Sequence, residues 1–144
     1  MIARATVAVC LLAALACGPV GAAERIRLVE RATGEKSVPL SQAPDAAGDP
    51  LVFSNPLYDA DDRVARGASR GHCVRIEVGR WYDCSITLAL EGGTLQAAGS
   101  YPDEGDAEFA VVGGTGRFTG ARGTLKVHPR DAQHSAYDFV IDLL

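Results

Sequence analysis

Residues 113–123 read Gly-Gly-Thr-Gly-Arg-Phe-Thr-Gly-Ala-Arg-Gly, and no other stretch restricts the fold so strongly. They follow Glu108-Phe109-Ala110-Val111-Val112, a run with strand-like character. A glycine loop after a strand raises the question of nucleotide binding, and this one fails both tests. A Walker loop ends in Gly-Lys followed by Ser or Thr, and a dinucleotide fingerprint opens a helix. Here Thr124-Leu125-Lys126-Val127 follows, alternating like another strand. Gly113, Gly114, Gly116, Gly120 and Gly123 therefore read as turn and bulge residues between strands, where positive φ or close backbone approach is needed. Arg122 between them reads as a side chain that ties the loop down through backbone carbonyls.

The same alternation recurs over residues 25–31, 50–55, 72–78, 80–90, 94–101, 107–112, 122–128 and 136–143. Breaks fall at 39–48, 59–71, 91–93, 102–106, 113–123 and 129–135. No window carries a capped helical stripe. Many short strands at regular spacing predict an all-β fold, a small antiparallel eight-stranded barrel, closed or nearly closed, because closure removes unprotected edges.

The first 23 residues stand apart. Arg4 supplies a positive start, Val7 to Ala16 an apolar core, and Gly21-Ala22-Ala23 small residues for cleavage. This predicts a secretory signal peptide over 1–23, too short for a membrane span, and one domain over 24–144 in a secreted or periplasmic protein. Cys17 after Ala14-Leu15-Ala16 offers a lesser alternative, a lipoprotein anchor, although the residue order departs from the usual lipobox. Beyond the leader the chain holds 13 basic and 18 acidic residues, a net charge of −5. A mildly acidic domain with no basic run has no electrostatic footprint for nucleic acid or anionic membrane.

Only Cys73 and Cys84 lie beyond the leader, and two cysteines in an exported chain invite a disulfide. If they face each other across a hairpin, Arg75 falls opposite Tyr82, Ile76 opposite Trp81 and Glu77 opposite Arg80, all favourable neighbours. The objection is the Val78-Gly79 loop, since Val tolerates the positive φ of a two-residue turn badly. A bulge there would shift the register and leave two buried thiols instead.

Chemistry is sparse. His72, His128 and His134 stand alone, without metal-ligand spacing, and Asp59-Ala60-Asp61-Asp62 lacks the spaced acids and glycine of a calcium loop. No metal or cofactor is expected. Phe53 and Asn55 share one face of a strand, an aromatic wall beside an amide that would orient one polar group of an apolar ligand. Tyr58 and Tyr101 join them as candidate cavity or mouth groups.

Three blocks carry a family resemblance: residues 108–123; Gly48-Asp49-Pro50-Leu51-Val52-Phe53-Ser54-Asn55-Pro56-Leu57-Tyr58; and Gly71-His72-Cys73. Together they resemble, in order, the signature segments of the dirigent and allene oxide cyclase-like barrel superfamily. The resemblance implies a barrel whose cavity is lined at the positions of Phe53, Asn55 and Cys73, with the asparagine helping to hold a water near a substrate epoxide oxygen. It also implies a homotrimer. The cyclase branch carries Glu-x-Asn on its first strand and Ser-Pro soon after. The natural alignment offers Arg27, Val29, Glu35 and Lys36 there, so the cation-stabilising carboxylate is expected to be missing, and Glu30 would replace it only in an altered register. The dirigent branch uses acidic residues and an arginine around its cavity; Asp49 and Arg122 lie in the shared motifs.

Two functions fit. One is a non-enzymatic barrel binding a hydrophobic small molecule or a protein partner. The other is a cyclase or dirigent-like isomerase that folds an apolar substrate into one conformer, where orientation alone can be worth several kcal/mol.

Overall fold

The computed structural model describes residues 23–43 and 45–144; the expected leader over 1–23 lies outside them except for Ala23. Nine strands follow in order: β1 (Glu24–Arg31), β2 (Glu35–Ser37), β3 (Pro50–Asp59), β4 (Ala65–Glu77), β5 (Trp81–Leu90), β6 (Gly93–Pro102), β7 (Ala107–Gly114), β8 (Gly123–Pro129) and β9 (Ala136–Leu143). Neighbours from β3 to β9 pair antiparallel, β9 pairs with β1, and β1 returns to β3, so eight strands close an antiparallel barrel. The short β2 is added outside the eight, along the first half of β3.

The alternation expected of half-buried strands is plain in β9, where Tyr137, Phe139, Ile141 and Leu143 point inward between half-exposed neighbours. Leu57, Leu88, Leu95, Leu125 and Ile141 are at most 1% exposed and fill one end of the barrel. Burying each such side chain is worth about 1.5–3 kcal/mol.

The glycine stretch caps that filled end. Gly116 has φ 59°, and a Cβ there would lie 2.1 Å from the Gly92 carbonyl oxygen. Gly114 is needed for a different reason: its backbone lies so close to Phe118 and Thr94 that a Cβ would meet both carbonyl oxygens at 2.6 Å. Residues 116–118 form a short 3-10 turn that buries Phe118. Arg122 donates to the carbonyls of Val112 (3.0 Å) and Ala121 (2.7 Å).

Several boundaries differ from the sequence reading, and β3 runs to Asp59 rather than residue 55 and β7 to Gly114 rather than 112. β4 begins at Ala65, not near residue 72, and β2 is additional. The inward positions of early β4 are Ser69 and Gly71, which carry no apolar signal. They are small because other groups occupy the space: a Cβ on Gly71 would lie 2.7 Å from the Phe53 ring.

The β4–β5 hairpin confirms the disulfide. Cys73 sits opposite Cys84 and is bonded to it, and Arg75 sits opposite Tyr82 with its guanidinium 3.6 Å from the ring centroid. Beyond that pair the register slips. Glu77 faces Trp81, Ile76 drops out of the ladder as a bulge, and the expected Ile76–Trp81 pair does not form. The bulge resolves the turn problem by giving the positive φ to Gly79, at 74°, rather than to Val78. Glu77 and Arg80 still meet, across the turn, at 3.0 Å.

Candidate functional site

β1 and β2 are successive pieces of one line of chain, both antiparallel to β3 and separated by Ala32-Thr33-Gly34. Asn55 on β3 holds this break. Its Oδ1 accepts the backbone N–H groups of Thr33 (3.1 Å) and Gly34 (2.8 Å). The opposite end of the amide, Nδ2, donates to Glu30 Oε1 at 3.1 Å and to Glu35 Oε1 at 3.5 Å. One buried asparagine thus fixes the backbone kink and ties together two carboxyls that flank it.

Both carboxyls face a cavity in the unfilled half of the barrel. The cavity has a volume of about 70 Å³ and opens to solvent at its mouth. The wall is aromatic and aliphatic, with Phe53, Tyr101, Phe109, Tyr137 and Phe139 prominent, and the Cys73–Cys84 disulfide forms part of it. Glu30 and Glu35 are the charged members of the lining.

Glu30 is 4% exposed. Burial pushes its carboxyl up to about 7, against opposing hydrogen bonds from the Ser69 hydroxyl and Asn55. The proximity of Glu35 adds a smaller push in the same direction. Burial likewise raises Glu35, partly offset by Asn55 and by His134. Tyr101 and Tyr137 meet edge to face, with ring centroids 6.4 Å apart. Burial raises both phenols. Their hydroxyls lie near enough to influence each other, yet the Tyr101 hydroxyl is buried without a partner in hydrogen-bond geometry.

His134 packs against the cavity residue Tyr137, with ring centroids 5.9 Å apart and a backbone φ of 54°. Asp131 holds this turn by accepting the N–H groups of Gln133 (2.9 Å) and Ser135 (3.0 Å). Arg75, the buried base of the interior, is committed elsewhere: it binds Asp45 at 2.9 Å, Asp103, and the Tyr82 hydroxyl at 2.6 Å. These contacts pin the 38–49 connection and the β6–β7 loop to the barrel.

Of the candidates read from sequence, Phe53, Cys73 and Tyr101 line the cavity. Asn55 lies directly behind its carboxyls. Tyr58 falls on the outer face of β3, with the Arg31 guanidinium 4.1 Å from its ring centroid, and does not reach the lining. Asp49 is a structural group that accepts backbone N–H bonds from Leu40 and Ala46. Arg122 is at the other end of the barrel, on the glycine loop.

Where the family alignment leaves the first strand without an inward carboxylate, the fold supplies Glu30. A partial signal was present in β1: Ile26 and Leu28 alternate with Arg25 and Arg27, and continuing that period turns Glu30 inward, although the intervening Val29 on the opposite face is buried as well. Ser69 and Tyr137 escaped the sequence reading, since nothing local marks them, and Glu35 entered it only as a departure from the family pattern.

Among the described residues no group of three His, Cys, Asp or Glu side chains could hold a metal ion. Among them, too, no helix is long and apolar enough to cross a membrane.

A sequence profile of the family described as dirigent-like protein matches residues 21–143. Among solved structures, a pyocyanin demethylase superposes with a TM-score of 0.73 at 21% identity, over 84% of this chain and 100% of that one. A pterocarpan synthase dirigent protein gives 0.71 at 18% identity, over 84% of this chain and 83% of that one. A Diels–Alderase from Streptomyces koyangensis gives 0.67 at 17% identity, over 85% and 63% respectively. At these identities the likeness is one of fold.

Proposed function

The chain belongs to the dirigent-like protein family, and on that premise we propose that it is an exported barrel that binds a small, largely apolar molecule in the cavity between Phe53, Tyr101 and Tyr137. The supporting observation is the cavity itself: an apolar, aromatic recess with two carboxyls and an unsatisfied phenol converging on it. We assign residues 1–23 as the leader and 24–144 as the single mature domain, assembled as a trimer by resemblance. A disulfide within that domain suits an oxidising compartment.

Native mass spectrometry of protein exported on its own N-terminal segment, and purified without denaturant, tests the reading. A co-purifying organic molecule lost on Phe53→Ala substitution supports it. Bare protein in every preparation, with no uptake of the apolar dye Nile red, removes it.

Glu30 favours a second reading, an isomerase or cyclase acting on the bound molecule. A carboxyl that ionises near pH 7 is matched to giving or taking a proton at neutral pH. Its desolvated carboxylate would also stabilise positive charge developing on a substrate held by the aromatic wall. The structural neighbours are named for three different chemistries, so the barrel alone does not choose the reaction. Conversion of a co-purified molecule by the wild type, lost in folded Glu30→Gln, would establish catalysis; equal conversion by both would exclude Glu30 from it.

A further inference from the structure

The charge balance of the cavity narrows its guest. The lining holds two carboxyls and no lysine or arginine. Arg75, the buried base of the interior, is already satisfied by Asp45 and Asp103. Neither Glu30 nor Glu35 forms an ion pair within 4.0 Å with a described side chain; their hydrogen bonds come from neutral groups, Ser69 and Asn55. Burying carboxyls without cations is costly, and a protein interior ordinarily neutralises them with a partner. Around them stand faces and edges of Phe53, Tyr101, Phe109, Tyr137 and Phe139, groups whose π-systems attract positive charge.

We propose that the ligand of this cavity is a planar aromatic cation, its rings against Phe53, Tyr101 and Tyr137 and its charge against Glu30 and Glu35. This rests on the reading of the cavity as a ligand site and adds the charge of the ligand to it. The guest replaces the proton on Glu30 as the source of neutrality, so uptake releases a proton near neutral pH. The titratable groups facing Glu30 are Glu35 from β2, Tyr101 from β6 and Tyr137 from β9, with His134 near Glu35 outside the lining. The phenols stay neutral throughout the range of interest.

Equilibrium dialysis of the exported protein against 1-methylquinolinium and its neutral isostere 1-methylnaphthalene, read by ligand absorbance, tests this. The affinity for the cation is expected to rise about tenfold or more between pH 5 and pH 8, while the affinity for the neutral compound stays level or falls. Folded Glu30→Gln and Glu35→Gln variants are expected to lose several-fold in cation affinity at pH 8 and to keep the neutral affinity; either variant suffices if the other fails to fold. Binding of the neutral compound with cation affinity flat in pH overturns the proposal and leaves the apolar-site reading standing. A pH-dependent cation affinity untouched by both variants also overturns it, by placing the charge preference outside this cavity. Binding of neither compound removes both readings.

Discussion

At the scale of single residues, Glu30 sets the pH behaviour of the fold. Its ordinary value is 4.5 and its folded value about 7. Between these, the unfolded chain releases the proton while the folded chain keeps it, so stability is full below about pH 4.5 and falls as pH rises to about 7. The whole penalty then persists at higher pH. Glu30→Gln removes it. The variant should match the wild type at pH 4 and exceed it by roughly 3 kcal/mol at pH 8, read from urea midpoints at the two pH values. Equal midpoints at pH 8 would mean that the carboxyl is not desolvated. Asn55→Ala acts in the opposite sense, because it strips the acceptor from two backbone N–H groups and the donor from both carboxyls. A loss of about 2–4 kcal/mol is expected, more than a pocket residue alone would cost. Retained stability would show that the β1–β2 break does not need the amide. Asn55 was visible in the sequence as a polar residue on an inward strand face. Its partners Glu30 and Glu35 were not, nor was Ser69, which donates to Glu30, because the three come from three other strands and meet only after closure.

At the scale of elements, the β4–β5 hairpin was legible where side chains set its register and illegible where the backbone did. Opposed cysteines and the Arg75–Tyr82 pair follow from alternation alone. The bulge at Ile76 follows from the φ demands of a turn that contains one glycine, and several turn geometries meet those demands. The crosslink closes a sequence separation of 11 residues. Replacing both cysteines by serine should therefore cost roughly 2–3 kcal/mol, measurable as a lower denaturant midpoint that no longer responds to reductant. An unchanged midpoint would show that the ladder on either side already fixes this hairpin. β2 escaped notice for a simpler reason: Glu35-Lys36-Ser37 is too short and polar to signal a strand, and it exists because β3 runs past the end of β1 and offers it an edge.

At the scale of the whole molecule, the barrel divides into a packed half and a hollow half. Leucines and Ile141 fill the first, beneath the glycine loop. Aromatic rings, the disulfide and the carboxyls border the second. The strand count and the closure were readable from regular spacing. The division was not, because inward side chains alternate identically in both halves and only their sizes, summed around the ring, leave space in one. The ladder between β1 and β3 is the shortest in the barrel, with three pairs: Leu28 with Asp59, Val29 with Tyr58 and Glu30 with Leu57. Backbone amides at 28–30 and 57–59 should show hydrogen-exchange protection that drops between pH 5 and pH 8, after correction for intrinsic rates, faster than that of β7 and β8. Parallel behaviour of the two regions would separate the seam from the carboxyl.

On the proposed reading, that coincidence of seam and site would make host and guest mutually dependent. Glu30 is both a stitch in the closing ladder and the hook on which a guest would hang, so whatever satisfies its charge also fastens the enclosure. An occupied barrel is then a locked container, and an empty one in alkaline surroundings is the form a protease would pry apart first, along β1.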